Sequence, residues 1–338
     1  MKILLLSHFF HPSVGGIEEV SRTLAHEFVA LGHDVKVVTT TPAAEDGTSF
    51  PFEVIRRPSP PQLLRLTAWC DVFLHNNISL RNAWPLLLMP RPWVVAHHTW
   101  IARVDGSIGW RDRLKQFVAR NAGNISVSRA INDHLSTPAT IIGNPYRDAL
   151  FQADPNAARD CDLVFLGRLV WDKGVDLLLQ ALGKLGERRL RPRLTIIGSG
   201  AEEGNLRRLS ARLGLEAQVA FAGVKTGPEL VALLNRHRVI VVPSRWQEPF
   251  GIVALEGIAC GCVPVVARCG GLPDAVGRCG VTFELGDVED LARVIGELLD
   301  PGLNLSPLRS AAGEHLARHS ARAVALRYLQ VLKEKAHQ

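Results

Sequence analysis

Residues 239–257, VIVVPSRWQEPFGIVALEG, contain the pattern on which the fold assignment depends. The run 239–242 is short, apolar and β-branched, which predicts a buried strand that ends at Pro243. Helical spacing begins near Gly251, so a helix follows the strand after a polar loop. A buried strand followed by a loop and a helix is typical of a parallel sheet with helices on its faces.

The same alternation continues on both sides of this stretch. In the first half of the chain, strands are predicted at 3–6, 35–39, 72–74, 93–96, 125–127 and 140–142, with a helix at 16–31. In the second half, strands are predicted at 163–166, 194–197, 219–221, 239–242 and 263–266, with helices at 175–185, 230–234, 252–258 and 291–299. The series is interrupted once, by the polar, proline-containing segment 144–160.

This organisation predicts an α/β chain of two Rossmann-like, doubly wound domains that face each other across a cleft. The first domain covers residues 1–150 and the second covers residues 151–319. The tail 311–337 has a helical pattern, and its last part, about 320–338, is expected to pack back on the first domain.

Composition excludes several classes of protein. With 338 residues, 47% hydrophobic and 21% charged, the chain is neither collagen-like nor mostly disordered. A net charge of +6 is too mild, averaged over this length, to indicate nucleic-acid binding, so no nucleic-acid partner is expected. The first apolar run, 3–6, is too short for a secretory signal, and no window approaches the roughly 20 apolar residues of a spanning helix. We therefore expect a cytoplasmic protein, or one attached to the membrane surface from the cytosol.

Four of the six cysteines cluster at positions 260, 262, 269 and 279. Their spacing lacks the paired ligands of a zinc finger, and Gly and Val surround them. We interpret them as small buried residues, and no metal site is predicted.

Two loops that follow predicted strands have the composition of phosphate-binding loops. Residues 11–16 contain two glycines before a helix, an arrangement that favours an anion but also fits a simple tight turn. They lack the G-x-G-x-x-G fingerprint, which disfavours a dinucleotide-dependent dehydrogenase. Residues 167–174 contain Arg168 and Lys173, a fork and a point charge that suit a diphosphate, although solvated surface charge is the alternative.

The loop in the opening stretch carries the strongest signal. At the predicted helix start, the backbone N–H groups of Gly251, Ile252 and Val253 could hold phosphate oxygens. Glu248 precedes this helix and Glu256 lies within it, and a carboxylate can accept hydrogen bonds from vicinal hydroxyls. Two acids flanking a phosphate-binding helix start suggest a nucleotide-sugar as the ligand.

The spacing of Glu248 and Glu256, with seven residues between them, resembles the E-x7-E signature of the family 4 retaining glycosyltransferases. Other segments resemble further parts of that family in the same order: 12–16 (PSVGG), 92–98 (PWVVAHH), 167–174 (GRLVWDKG), 197–200 (IGSG), 221–223 (FAG) and 270–274 (GGLPD). The resemblance implies a GT-B fold, retention of the anomeric configuration, and no cofactor or metal beyond the nucleotide-sugar substrate.

The resemblance also implies roles for individual residues. Arg168 and Lys173 would neutralise the departing diphosphate, Glu248 would bind donor-sugar hydroxyls, and Glu256 would hold the ribose. The other implied donor-binding positions are Gly16, Val224, Phe250, Gly251, Ile252 and Val253.

His98 is implied to lie near the reacting carbon and the acceptor. Its spacing from Pro92 fits the family better than that of the adjacent His97, and the alternative is a structural histidine. The sequence departs from the family where Asn144 is followed by Pro145 in place of the usual glycine, which stiffens the linker.

The positive charge is concentrated in one segment. Residues 1–55 carry 3 Lys and Arg against 7 Asp and Glu, whereas residues 56–129 carry 11 against 3 and contain five of the seven Trp. Within the segment, residues 109–121 have apolar side chains at helical spacing beside several cations. Basic amphipathic helices with Trp can lie on anionic membranes, so we hypothesise contact with such a surface; a half-buried helix with a solvated basic face is the alternative.

These observations lead to one predicted function and two alternatives. The chain is predicted to be a retaining hexosyltransferase that moves a hexose from a UDP- or GDP-sugar to a glycan or lipid-linked acceptor in cell-surface polysaccharide or glycolipid biosynthesis. A nucleotide-sugar epimerase or hydrolase on the same fold would need an acid–base set that the sequence does not reveal. A non-enzymatic nucleotide-sugar sensor would not need Arg168, Lys173, Glu248 and Glu256 to converge with His98.

Overall fold

The computed structural model describes residues 1–13, 15–43, 48–103 and 106–337. The chain divides into two compact units: Met1–Pro145 with His319–Gln338 form unit 1, and Tyr146–Arg318 form unit 2. The change of unit at Pro145 lies inside the polar segment 144–160 and slightly before the boundary set at 150/151 from the sequence.

Unit 1 is built on one parallel sheet. Its strands are β1 (Lys2–Ser7), β2 (Asp34–Thr39), β3 (Glu53–Arg56), β4 (Val72–Asn76), β5 (Trp93–His97), β6 (Gly123–Ser126) and β7 (Thr140–Ile141). The connecting helices are α1 (Gly16–Ala30), α2 (Pro60–Trp69), α3 (Leu80–Ala83), α4 (Pro85–Leu88), α5 (Trp110–Ala119) and α6 (Arg129–His134). The strand order β3-β2-β1-β4-β5-β6-β7 reverses direction between β1 and β4, so loops after these strands lie at a topological switch point.

Unit 2 repeats the architecture. Its strands are β8 (Cys161–Leu166), β9 (Leu194–Ile197), β10 (Val219–Gly223), β11 (His237–Val242), β12 (Val263–Ala267) and β13 (Val281–Phe283). Its helices are α7 (Val175–Glu187), α8 (Glu203–Arg212), α9 (Gly227–Arg236), α10 (Ile252–Ala259), α11 (Leu272–Val276), α12 (Val288–Leu299), α13 (Ser306–Ser310) and α14 (Ala312–Arg318), with a 3-10 turn at Trp171–Lys173. The parallel order β10-β9-β8-β11-β12-β13 reverses between β8 and β11.

Both sheets are covered on both faces, as the continuous apolar strands predict. In unit 1, the sheet face that carries Leu4 and Phe73 packs against Leu63 of α2 and Ala119 of α5, so α2 to α5 share that face. The last helix, α15 (Ala321–Ala336), packs on α1 and on β4, β5 and β6 and buries Tyr328. The C-terminal helix therefore belongs to unit 1, although the chain reaches it only after completing unit 2.

The helical tail predicted at 311–337 is not continuous. It consists of α14 and α15, separated at His319 and Ser320, and the Ser320 hydroxyl accepts a hydrogen bond from Ala323 N at 3.3 Å. Ser320 has an extended backbone, and a serine in this conformation caps a new helix rather than continuing the old one.

The cysteines have the structural role interpreted from the sequence. All six are free thiols, and the clustered Cys260, Cys262, Cys269 and Cys279 are buried. Burial raises the pKa of the Cys262 thiol to about 12, so it stays protonated and unreactive at neutral pH. Within the part of the chain that the structure describes, no group of three or more His, Cys, Asp or Glu is placed to hold a metal ion. No helix in that part is long and apolar enough to span a bilayer.

Candidate active site

The loops after β8 and β11 meet at the switch point of unit 2, because these two strands are neighbours in the sheet. Gly174 has a φ of +67°, and a Cβ at this position would lie 2.0 Å from Pro243 O. The two loops are joined further by Arg245 N, which donates to Asp172 O at 2.9 Å. A glycine is therefore required where the backbone of one loop crosses the other.

Glu248 receives two hydrogen bonds at this crossing. Lys173 Nζ lies 2.5 Å from Glu248 Oε1, and Ser244 Oγ donates to the same oxygen at 2.7 Å. Both the lysine and glutamate side chains are largely covered, at 22% and 16% exposure, and Ser244 is buried. Low exposure strengthens a charge-assisted contact of this kind. The structure thus brings together two of the residues that sequence reasoning selected, and adds Ser244.

The Gly270–Gly271 segment fixes the backbone of Glu248. Gly271 N donates to Glu248 O at 2.7 Å, and a Cβ at Gly270, where φ is +54°, would lie 2.2 Å from the same oxygen. The glycine pair quoted from the sequence therefore serves as a close-packed support for the acidic loop.

Arg168 and Val224 face solvent. Arg168 follows β8, is exposed, and makes no hydrogen bond or ion pair with the residues that the structure describes. Val224 follows β10 and is 64% exposed. Neither side chain is engaged in the packing of unit 2, so both are accessible to a ligand at the carboxyl edge of the sheet.

Helix α10 begins where the sequence predicts. Gly251 is its N-cap with a φ of +111°, and Ile252 and Val253 occupy its first turn. First-turn N–H groups have no acceptor within their own helix, which leaves them available to an anion. The Phe250 side chain is buried at 3% exposure, so only its backbone can face a ligand.

Glu256 is buried in the same helix and lies beside a residue that the sequence analysis missed. Arg147 Nη2 is 3.4 Å from Glu256 Oε1, and the Arg147 guanidinium lies over the Phe151 ring at 4.9 Å. The sequence offers no signal for this pair beyond the position of Arg147 in the segment that opens unit 2.

A second ion pair that the sequence did not reveal lies beside the crossing of the loops. Arg245 pairs with Asp176 in the first turn of α7 and lies over the Trp171 ring at 5.5 Å. This contact ties the loop after β11 to the element that presents Lys173.

In unit 1, His98 follows β5 and is buried in a polar network. Its Nδ1 lies 3.1 Å from Asn144 Oδ1, and its Nε2 lies 3.3 Å from Asn76 Oδ1. Asn76 in turn donates to Ser21 Oγ of α1 at 2.6 Å. Burial lowers the pKa of His98 to about 4, outweighing the hydrogen bond with Asn144 that raises it, so the ring is neutral at neutral pH. The structure places His98 at the carboxyl edge of the sheet, joined to the helix that follows β1.

The first glycine loop has its expected place at the switch point of unit 1. Gly16 opens α1 with Gly15 as its N-cap, and Val14 of this loop lies outside the described residues. In the first turn of α1, Glu19 pairs with Arg22 at 2.7 Å, and the Glu18 carboxylate lies against Gly15. His97 ends β5 and its Nε2 lies 2.8 Å from Asn124 Oδ1.

Two Rossmann-like units, each with candidate ligand-binding loops at its switch point, fit the GT-B type of glycosyltransferase. Comparison with known proteins supports this class: residues 147–315 match the family described as glycosyl transferases group 1, and residues 14–145 match glycosyltransferase family 4. The chain belongs to the glycosyl transferases group 1 family, which confirms the resemblance and the fold class predicted from the sequence.

Individual relatives agree with the family. Glycogen synthase of Mycobacterium tuberculosis is 27% identical over 361 residues, covering 89% of this chain and 86% of that protein. D-inositol 3-phosphate glycosyltransferase of Corynebacterium jeikeium is 37% identical over 168 residues, covering 47% of this chain and 39% of that protein. The crystal structure of Anabaena HepE in complex with UDP superposes with a TM-score of 0.82 at 20% identity, covering 99% of this chain and all of that one.

Proposed function

We propose that this glycosyltransferase is a retaining hexosyltransferase that takes a hexose from a UDP- or GDP-sugar and transfers it to a glycan or lipid-linked acceptor in cell-surface polysaccharide or glycolipid biosynthesis. The observation that carries the proposal is the cluster of Lys173, Glu248 and Ser244 beside the first turn of α10. A cation and helix amides suit a diphosphate, and an adjacent carboxylate suits sugar hydroxyls. HepE, which shares the fold, is solved with UDP and with UDP-glucose.

The chemistry follows from where charge develops. Breaking the bond between the anomeric carbon and the phosphate oxygen builds negative charge on the diphosphate and positive charge on the sugar. Lys173, Arg168 and the amides of Ile252 and Val253 stabilise the first charge without a metal ion. The acceptor hydroxyl attacks from the face that the diphosphate leaves, and a phosphate oxygen takes its proton. A neutral His98 acts in this scheme as a hydrogen-bonding group and not as a proton store.

Replacement of Lys173 tests the donor assignment. Lys173→Ala removes a positive charge that interacts more strongly with the diphosphate as negative charge develops on it. The rate of transfer from UDP-glucose or GDP-mannose should therefore fall on the order of 100- to 1,000-fold. Lys184→Ala is the matched control, because Lys184 lies on α7 and pairs with Glu289 at the surface. Near-normal turnover of a folded Lys173→Ala protein would overturn the phosphate assignment.

The same assays separate the alternative functions. An epimerase or hydrolase would consume the nucleotide-sugar in the absence of any acceptor, whereas a sensor would bind it and never consume it. Turnover that requires an added glycan or lipid-linked acceptor distinguishes the transferase from both.

We propose further that the acceptor is met at an anionic membrane surface on the cytoplasmic side. Five apolar side chains on α4 and α5 are exposed, and we refer to them together as the apolar patch of unit 1: Leu87, Leu88, Trp110, Leu114 and Phe117. Leu87 is 84% exposed, Trp110 68% and Phe117 61%, although most side chains of this size are buried elsewhere in the unit. Because α4 and α5 connect successive strands and both pack on the same sheet face, the patch lies on one side of the unit.

The charge around the patch favours lipid over another apolar partner. Arg111, Arg113 and Lys115 lie on α5 among its exposed aromatic side chains, and Arg120 is the C-cap of this helix. Arg111 lies 5.3 Å from the Trp110 ring and Arg120 lies 5.8 Å from the Phe117 ring, which places cations beside the rings that would insert. Interleaved cations and aromatic rings fit the headgroup region of an anionic bilayer.

Vesicle flotation tests the patch. The protein should float with phosphatidylglycerol vesicles at low salt, less at high salt, and not with phosphatidylcholine alone. Trp110→Ser with Phe117→Ser should abolish flotation, whereas Leu326→Ser, on an exposed position of α15 on the other sheet face, should not. Salt-insensitive flotation, or none with the anionic vesicles, would overturn the membrane proposal and leave the donor chemistry untouched.

A further inference from the structure

Arg147, which lies outside every motif that identified the donor unit, pairs with Glu256, the second acid of the E-x7-E pattern. The two members of the pair are 109 residues apart in the chain. Arg147 is the second residue of unit 2, and Glu256 projects from the middle of α10. The pair therefore places a guanidinium beside the Glu256 carboxylate, which the E-x7-E resemblance implies to bind the ribose.

Residues that follow Arg147 in the chain hold it in place. Leu150 N and Phe151 N both donate to Arg147 O, at 3.0 Å and 2.9 Å, which closes a turn. The turn brings the buried Phe151 ring under the guanidinium at a distance of 4.9 Å. A guanidinium supported by a buried ring keeps its orientation, in contrast to a lysine on a flexible stem.

The carboxylate of Glu256 needs such a partner. Its side chain is 11% exposed, and an ionised carboxylate at this burial is unfavourable without a counter-charge. The Arg147 side chain remains 33% exposed, so the pair is not sealed off from solvent. One carboxylate oxygen faces Arg147, and a carboxylate has a second oxygen that can accept from hydroxyls.

We propose that Arg147 is a positioning residue for the ribose end of the donor site. It holds the Glu256 carboxylate in one orientation, so that the carboxylate accepts hydrogen bonds from the two ribose hydroxyls of the nucleotide. This inference rests on the proposed function. Its consequence is that Arg147, although assigned no contact with the ribose, sets the preference of the site for ribonucleotides over 2′-deoxyribonucleotides.

Calorimetric binding of UDP, GDP and their 2′-deoxy counterparts tests the inference on the full chain. The wild-type protein should prefer the ribonucleotide of its preferred base by about tenfold or more, because a site built to bind a hydroxyl rejects the analogue that lacks it. Arg147→Ala should weaken ribonucleotide binding by about tenfold and bring the preference close to one, as Glu256→Gln should. Arg147→Lys should give an intermediate preference, since it keeps the charge and loses the fork.

The design separates local from general effects. Arg147→Ala combined with Glu256→Gln should be no worse than Glu256→Gln alone, because the two residues act as a unit. Arg293→Ala is the matched control, since Arg293 also pairs with acids but lies on the surface of α12. If neither UDP nor GDP binds the wild-type protein, the proposed function fails. If the wild type prefers ribonucleotides and Arg147→Ala keeps that preference, the proposed function stands and the role of Arg147 is overturned.

Discussion

His98 is the residue in unit 1 whose replacement best separates binding of the donor from transfer of its sugar. The nucleotide-binding positions proposed for the donor are almost all in unit 2, whereas His98 follows β5 in unit 1. His98→Ala should therefore lower transfer by about 10- to 100-fold while changing the Kd of the nucleotide less than twofold. Transfer kinetics and calorimetric nucleotide binding measure the two effects.

The adjacent histidine supplies the control for this substitution. His97 is equally buried and has its own amide partner, Asn124, so His97→Ala carries a similar risk to stability. If His97→Ala lowers transfer more than His98→Ala does, with thermal unfolding matched, then the assignment from the spacing to Pro92 is wrong and His97 is the functional residue.

Candidate ligand-binding residues could be selected from the sequence where they lie in a loop that follows a predicted strand. Glu248, Lys173 and Arg168 lie in loops that follow strands β8 and β11, and parallel strands present such loops at one edge of the sheet. The pairings of these residues were not predictable. Lys173 meets Glu248 across 75 residues and Arg147 meets Glu256 across 109, and such contacts depend on how α10 and the loops pack. The burial of His98 also depends on packing, because Asn76 and Asn144 come from separate parts of the chain.

At the scale of elements, the crossing of the loops after β8 and β11 is the feature that a small substitution would break. Gly174→Ala would place a methyl group 2.0 Å from Pro243 O at a φ of +67°. We expect a loss of about 2 kcal/mol or more in the free energy of unfolding. Since Lys173 precedes this glycine, nucleotide binding should weaken as well. Urea unfolding and calorimetry measure both changes.

Gly186→Ala is the control for that substitution. Gly186 lies in α7, and a Cβ there would meet nothing within 4 Å. Alanine in a helix should leave stability unchanged or raise it by about 0.5–1 kcal/mol, with nucleotide binding intact. A Gly174→Ala protein that matched Gly186→Ala in both measurements would show that the close approach of the loops is not required.

The elements that the sequence predicted well are those with strong apolar runs. Strand β9 has the predicted bounds, and β1 and β11 extend theirs by one or two residues. The missed strands β3 and β13 are short edge strands, of four and three residues, with too few apolar positions to give a period. The break between α14 and α15 was missed because the two helices have similar polar patterns. The one local signal for the break is Ser320, the N-cap of α15.

At the scale of the whole molecule, stability should depend on pH through the buried histidines. His75 is fully buried in unit 1 with its Nδ1 accepting from Trp93 Nε1 at 3.0 Å, and burial lowers its pKa to about 3. The pKa of a histidine in the unfolded chain is about 6.5. Below that pH the unfolded chain binds a proton at this position, whereas the folded chain does not. Stability is therefore fully present above about pH 6.5 and is lost as the pH falls toward the folded-state pKa.

The size of this loss can be measured against a variant that does not titrate at position 75. Between pH 6.5 and 4.5, His75 alone should account for roughly 2–3 kcal/mol. His75→Phe keeps a ring beside Phe73 and Trp93, and relative to its own stability at pH 7.5 it should lose less on acidification than the wild type. Urea unfolding followed by Trp fluorescence is suited to the comparison, because five of the seven Trp lie in residues 56–129 and report on unit 1. If wild type and His75→Phe decline in parallel, His75 is not the group whose titration causes the loss, and the other histidines of unit 1 with lowered pKa values, among them His97 and His98, account for it.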